Sequence, residues 1–283
     1  MNKRYYFFFL IFTAASVWAF AVAGAPRDFL SVYALDVGQG DATFIETPRR
    51  HQILIDGGPD TRVVSELAEV MSFWDRSIDL IVLTHPQEDH MFGFIEVLRR
   101  YDVANVLMTG VNYHTRTYEE FKKAIEKEGA RVILARAGEK IKFDDGVEMD
   151  ILFPTNTIAG TDAPADVNDT SVASRLRFGE RTFLFMGDAG IQEESALVYS
   201  GEDIDIDVLK VNHHGSRTST SLLFLEKTTP TLALVSVGAK NKYGHPHQDT
   251  LTRLAEVPIY RTDTQGRVAV YTDGVHISVA TER

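Results

Sequence analysis

Cysteine is absent from all 283 residues. Disulfides, thiolate zinc sites and cysteine nucleophiles are therefore excluded, and any transition metal must be held by histidine and carboxylate. Glycine (20) and proline (9) stand at ordinary levels, so neither a collagen-like nor a low-complexity chain is expected. No internal repeat is visible. Positive charge is in short supply: 29 Lys and Arg face 40 Asp and Glu, for a formal net charge of -11. Residues 1–26 hold Lys3 and Arg4 and no acid, so the remainder is two charges more negative, at -13. Such a surface disfavours indiscriminate binding to phosphate backbones. A nucleic-acid substrate would need local metal charge or a separate partner to overcome the repulsion.

Long apolar runs are equally scarce. One exists, Tyr5 to Gly24, uncharged throughout and preceded by Lys3 and Arg4. As a helix it would cover about 30 Å, the hydrocarbon thickness of a bilayer. Tyr5, Tyr6 and Trp18 lie towards its ends, as interfacial aromatics do. The expectation is a membrane anchor through residues 5–24 with an extracytoplasmic domain. The rival is a secreted protein, because Ala21-Val22-Ala23 resembles a signal-peptide cleavage site. Residues 1–26 are thus set apart from a single catalytic domain at 27–283, whose share of the 44% hydrophobic residues suffices for one large core.

Within that domain, alternation and apolar runs predict strands at Phe29–Leu35, Ala42–Glu46, Gln52–Ile55, Asp79–Leu83, Arg131–Ala135, Val147–Leu152, Val172–Phe178 and Thr182–Met186. Helical spacing falls at Val63–Met71, His90–Tyr101 and Tyr118–Glu128. Thr155–Asp169 reads as a loop. Helices at Gln192–Val198, Ser221–Lys227 and His247–Ala255 then alternate with strands at Asp207–Val211 and Leu232–Ser236, before a hairpin around Asp273-Gly274. Several α/β or α+β layer architectures fit this order.

Chemistry concentrates at a few strand ends. Thr84-His85-Pro86-Gln87-Glu88-Asp89-His90 supplies two imidazoles and a carboxylate directly after a buried strand, a donor set suited to zinc or manganese. Met186-Gly187-Asp188 adds a carboxylate, Asn212-His213-His214-Gly215-Ser216 two histidines, and Tyr243-Gly244-His245-Pro246-His247 two more. Six of the nine histidines fall in these short clusters, which scattered core or surface histidines would not do. His51, His114 and His276 stand outside and receive no role.

Taken in order, Asp36-Val37-Gly38-Gln39-Gly40-Asp41-Ala42, Leu54-Ile55-Asp56-Gly57-Gly58, the His85–His90 loop, Gly187-Asp188, Leu209 to Ser216, Tyr243 to His247 and Tyr260-Arg261-Thr262-Asp263 resemble the β-lactamase-like domain of ComEC-type competence proteins. The likeness spans roughly residues 29–275. It implies a four-layer αββα metallo-β-lactamase sandwich holding one or two divalent ions, zinc or manganese. It also implies roles: His85 in metal site one, Asp89 and His90 in site two, Asp188 bridging, and His213 or His214 completing site two. Asn168-Asp169 occupies the place where other branches of the superfamily put a site-one histidine. Asp41 and Asp56 would support the ligands from behind, whereas Asp36 would fix a turn. Asp89, His214 and His245 are the candidate catalytic groups, with His245 reaching the substrate phosphate or leaving group. Gln87 departs from the pattern, because a histidine or aspartate is usual there and an amide is the weaker ligand. Site one would then rest on His85, Asp188 and amide oxygens unless Glu88 or Asp169 substitutes.

The expected activity is metal-dependent phosphodiester hydrolysis, with DNA as substrate in a competence-like role. Transport would need a separate channel protein, because this chain has a single apolar segment. Two other classes compete: a metallohydrolase for small esters, lactones or nucleotides, and a non-catalytic, metal-stabilised binding module suggested by Gln87 and the acidic surface.

Overall fold

A computed structural model describes residues 27–283 together with Tyr5 and Phe8. The anchor or signal segment expected at 5–24 lies outside the described residues. Among the described residues, no helix is long and apolar enough to cross a membrane.

Strand β1 (Leu30–Ala34) shows how the chain builds two cores at once. Leu30, Val32 and Ala34 point into one apolar cluster, while Tyr33, with Leu35 just beyond, points into another. That alternation is the period of a strand buried on both faces. β1 is joined by β2 (Thr43–Glu46), β3 (Gln52–Ile55), β4 (Ser77–Val82), β5 (Asp102–Met108), β6 (Arg131–Leu134), β14 (Val268–Thr272) and β15 (Ile277–Thr281). They form an eight-stranded sheet in the order β15-β14-β1-β2-β3-β4-β5-β6. The second sheet has seven strands: β7 (Lys140–Lys142), β8 (Glu148–Phe153), β9 (Ala173–Phe178), β10 (Arg181–Phe185), β11 (Val208–Lys210), β12 (Leu232–Val235) and β13 (Ile259–Arg261), in reverse numerical order from β13 to β7.

The two sheets share one cluster of apolar side chains, among them Val32, Ile53 and Val82 from the first and Phe183, Val208 and Leu234 from the second. On the outer face of the first sheet, α1 (Arg62–Val70), α2 (Glu88–Arg100) and α3 (Arg116–Glu128) bury Leu67, Phe94 and Phe121. Outside the second sheet, α4 (Ile191–Val198) and α5 (Leu222–Thr228) bury Leu197 and Phe224, and Leu254 just beyond α6 (Gln248–Arg253) covers Ala233 and Val235. A one-turn helix, α7 (Thr262–Gln265), precedes β14. The layers are therefore helix, sheet, sheet, helix, the αββα order expected.

Strand direction places the chemistry. β3, β4 and β5 run parallel, and β1 shares their direction because both it and β3 are antiparallel to β2. In the second sheet β10, β11, β12 and β13 run parallel. Clefts of open α/β sheets form beyond the carboxyl ends of parallel strands. The Asp36–Asp41 loop, Asp56, the Thr84–His90 segment, Asp188 and the Asn212–Ser216 turn all follow such ends.

Three strands are not revealed by periodicity: β5, β7 and β13. In β5, Asp102 and Asn105 interrupt the apolar run, and the Asn105 amide donates to the Asp79 carbonyl at 2.9 Å. β7 and β13 are three residues long and only partly buried, too short to show a period. The loop expected at Thr155–Asp169 contains the start of a 3-10 turn, Val167–Thr170. Asp36, expected only to fix a turn, accepts a hydrogen bond from the Arg283 guanidinium at 2.8 Å and so ties down the C-terminus.

Close approach of α2 to the first sheet depends on Gly93. A Cβ there would lie 2.0 Å from the Gly57 carbonyl oxygen and 2.7 Å from that of Asp60. Gly93→Ala should therefore lever the first turns of α2 away from the sheet, costing about 1–3 kcal/mol and displacing His90. Thermal unfolding checks this; an unchanged midpoint would show that the helix shifts without penalty.

Candidate metal centre

α2 begins immediately after Gln87, so its first turn carries Asp89 and His90 into the gap between the sheets. The opposite wall comes from Gly187-Asp188 after β10 and from the turn Asn212–Gly215 after β11. Gly187 has φ +53°, and a side chain there would strike Thr84. His213 and His214 also lie in the left-handed region, at φ 49° and 53°. Such backbone costs about 1–2 kcal/mol per non-glycine residue and marks places where side-chain aim outweighs local comfort.

The result is a tight set: Asp89, His90, Asp188 and His214 each offer a ligand atom within 4.8 Å of the others. Three of the four are almost wholly buried. Asp188 Oδ1 stands 3.2 Å from His90 Nε2, and Asp188 Oδ2 lies 3.5 Å from His214 Nε2. Yet His90 Nε2, Asp188 Oδ1 and His214 Nε2 are all buried without a hydrogen-bond partner. Native interiors seldom tolerate such atoms, and three converging on one point is what a cation site requires.

Behind these atoms lies a second tier. Asp56 Oδ2 accepts from Thr84 Oγ1 at 2.8 Å and sits 2.7 Å from His90 Nδ1. His214 Nδ1 is 3.0 Å from the Ser236 carbonyl and 3.2 Å from Asp41 Oδ1. Lys210, itself buried, donates to Asp41 Oδ2 at 2.6 Å. Both imidazoles thus have Nδ1 engaged and Nε2 turned to the centre, the arrangement that fixes a ligating tautomer.

Charge follows geometry. Burial disfavours the His214 imidazolium, but Asp188 and Asp41 outweigh it and raise its pKa to about 10. Burial likewise opposes charge on His90, and Asp188 and Asp56 prevail, holding it well above its ordinary value. Asp188 is held well below the usual carboxylate range: His214 and His90 overcome the cost of its burial. Asp41 is depressed too, because Lys210 and then His214 outweigh burial. With both imidazoles neutral, Asp41, Asp56, Asp89 and Asp188 against Lys210 leave a net charge of -3, most of which one divalent cation would offset. The residues present therefore fit a divalent metal.

The site-one candidates are less well assembled. His85 is buried, with Nδ1 3.0 Å from Thr84 Oγ1 and Nε2 3.4 Å from the Gln87 amide oxygen. Burial and the nearby His90 push its pKa down to about 3, leaving it neutral. Asn168 is buried on the 3-10 turn with Oδ1 unpartnered. Asp169 is exposed, its carboxyl raised by partial burial and by Asp166. Glu88 cannot stand in for Gln87, since it faces α3 and accepts from Thr117 Oγ1 at 2.6 Å. His213 Nε2 lies 3.6 Å from Asp188 Oδ2 and is partly open to solvent. His245 sits farther out, its ring 5.6 Å from His213 and 6.2 Å from His214. Burial, His214 and His213 lower its pKa to about 4.

Some structural residues are not obvious from the motifs. Glu194 on α4 accepts from the Asn212 side chain at 2.9 Å and from the Thr220 and Ser221 amides, so it braces the histidine turn. Asn241 clamps the His245 loop through both its oxygen and its amide. Lys210 ends the buried strand β11, and a lysine in such a strand signals a buried acidic partner. The other mixed cluster, His51, Asp144 and Asp145, is at the far end of the sandwich, where Arg49 already neutralises Asp144 at 2.8 Å.

Residues 35–239 match the metallo-beta-lactamase superfamily, and the chain belongs to it. It is 28% identical over 254 residues to ComE operon protein 3 of Bacillus subtilis, covering 83% of this chain and 32% of that one. Competence protein ComA of Neisseria gonorrhoeae is 29% identical over 244 residues, with 85% of this chain and 32% of that protein covered. The chain thus spans about a third of these curated relatives. Among solved structures, the CmlA beta-hydroxylase superposes with a TM-score of 0.53 at 14% identity, over 85% of this chain and 53% of that one, which shows the fold alone.

A pH dependence follows from His214. Its folded pKa of about 10 exceeds the ordinary 6.5, so its charge contributes stability that is complete below about pH 6.5 and is lost as pH rises towards 10. Chelator-treated protein should unfold at a lower temperature at pH 9 than at pH 7. A divalent cation needs the neutral ring and should reverse that loss while releasing protons. A flat unfolding temperature between pH 7 and 10 would contradict the charge assignment.

Proposed function

We propose that this protein is a metal-dependent phosphodiesterase that acts on DNA outside the cytoplasmic membrane, anchored there through residues 5–24. The observation that carries the metal-dependent part is the set of orphaned buried atoms on His90, Asp188 and His214, with Asp89 beside them. DNA as substrate leans on the competence relatives, and the membrane on the apolar run.

Asp89, His90, Asp188 and His214 would hold the ion, and His85, Gln87, Asn168 and Asp188 a second, weaker one. A divalent cation there, zinc or manganese, supplies the Lewis acidity that lowers the pKa of water and offsets charge gathering on a phosphoryl oxygen. The protein's own groups do the rest. Asp56 and the Ser236 carbonyl keep His90 and His214 from rotating. His245, neutral at pH 7, is suited to donating a hydrogen bond to a substrate oxygen rather than to delivering a proton. His213, nearer Asp188 and open to the adjoining cleft, is the better placed proton donor for the leaving oxygen.

A smaller substrate has one observation in its favour. The cleft beside Asp188 has a volume of about 390 Å³ and is lined by Asp166, Asp169 and Glu193, with Arg217 as the cationic counterweight. That size suits a nucleotide or ester better than a continuous strand, and its acids would repel a polyanion. Residues 27–283, supplied with Mn²⁺ or Zn²⁺, should be assayed on single-stranded DNA, bis-p-nitrophenyl phosphate and simple esters. Phosphodiester cleavage without DNA cleavage would select the nucleotide reading, ester cleavage alone the ester reading, and no cleavage of any of the three would leave a binding module.

Gln87→Asp tests the second ion. The amide oxygen of Gln87 lies 3.4 Å from His85; an aspartate, one methylene shorter but charged, should attract a cation to that side of the centre, raise metal stoichiometry and increase activity at limiting metal. The gain should fade as metal saturates. An unchanged metal-activation curve would show that the second site already fills or is not used.

A further inference from the structure

The strand directions that gather the metal ligands also define the opposite end of the sandwich. The carboxyl ends of β1, β3 and β4 carry Asp41, Asp56 and His85–His90, so the amino ends of these strands lie away from the centre. Arg27 precedes β1 at that far end, and the Ser72–Asp75 turn precedes β4 there. Six-residue β4 spans about 20 Å, which sets the distance between the two ends. β1 and β4 are separated by β2 and β3, so the two features are about 14 Å apart across the sheet.

The turn is built to present two aromatics outward. The Asp75 amide donates to the Ser72 carbonyl at 2.9 Å, which leaves Phe73 and Trp74 as its central residues. The Asp75 carboxylate is pinned by the Gln52 amide at 2.5 Å and the Ser77 hydroxyl at 2.7 Å, bracing the turn from below. Phe73 is 85% exposed and Trp74 45%. Beside Arg27, a groove of about 660 Å³ lined by Phe29, Tyr33 and Tyr271 opens at the same end of the sandwich, over β1 and β14. Adjacent, solvent-accessible aromatics on a braced turn mark a contact surface, and tryptophan in particular prefers the bilayer interface.

The uncharged run Tyr5–Gly24 ends only three residues before Arg27, so whatever holds that run holds this end of the domain close by. The geometry points to a phospholipid bilayer as the occupant. The folded domain seats its amino-end face on the lipid interface through Phe73 and Trp74, with the metal centre on the side facing away from the membrane. This rests on the anchor reading of residues 5–24 and adds an orientation to it. Much of the positive charge at this end is already engaged: Arg27 and Arg50 pair with Glu46, Arg49 with Asp144, and the Arg76 guanidinium lies over the Tyr101 ring. Zwitterionic lipid should suffice.

Trp18 and Trp74 are the two tryptophans, so Trp18→Phe leaves Trp74 as the single reporter. The full chain carrying that change should be reconstituted in phosphatidylcholine vesicles, with and without lipid brominated in the upper acyl chain. The expected result is co-flotation with the vesicles, a blue shift of Trp74 emission and its quenching by the bromines. Phe73→Ser in the same background should weaken the quenching while the exposed position leaves folding intact. Flotation with unquenched Trp74 overturns the seating alone and directs that turn towards a protein partner. A chain that does not float overturns the seating and the anchor together.

Discussion

A chain of alternating charge runs through the gap between the sheets, and the rest of the molecule is arranged around it. Asp56, His90, Asp188, His214, Asp41 and Lys210 follow one another at 2.7, 3.2, 3.5, 3.2 and 2.6 Å. All six are nearly fully buried. Removing one partner from such a pair strands a charge in the interior, at a cost of about 3–5 kcal/mol. The series is neutral with both imidazoles protonated, and a divalent cation in place of their protons restores much of the balance when the rings are neutral. Stability and metal binding are therefore two readings of the same charge balance.

The fold supplies that chain from both halves of the sequence. Asp41, Asp56 and His90 come from the first sheet and its helix, and Asp188, Lys210 and His214 from the second. Neither sheet could assemble the centre alone. The Lys210 to Asp41 contact, 169 residues apart in sequence, is a direct tie between them. Close approach of the backbones makes this possible, which is why Gly93 and Gly187 leave no room for a side chain.

Much of this was legible beforehand. The apolar alternation located most strands and all the longer helices, because each buries a regular face. The histidine clusters stood out because they followed strand ends in an otherwise histidine-poor chain. What periodicity hides has physical causes. β5 carries Asn105 to satisfy a neighbouring carbonyl, and β7 and β13 are too short to show a repeat. The motif left His213 and His214 interchangeable, and only the left-handed backbone of that turn puts His214 in the tight cluster and His213 at its margin. Glu88 looked available as a ligand because a helix's first turn is often open, whereas Thr117 of the next helix takes its carboxylate. Glu194 and Asn241 act largely on backbone amides and carbonyls, contacts that leave no motif.

We propose that Asp188 and its neighbours form a metal centre that hydrolyses phosphodiesters, and not merely a buried salt-bridge network. Metal content and bis-p-nitrophenyl phosphate turnover, measured together on folded Asp188→Ala protein, separate the two. Bound divalent metal and turnover should both be lost while circular dichroism still reports the native sheets. Full metal content with undiminished turnover in that variant would contradict it.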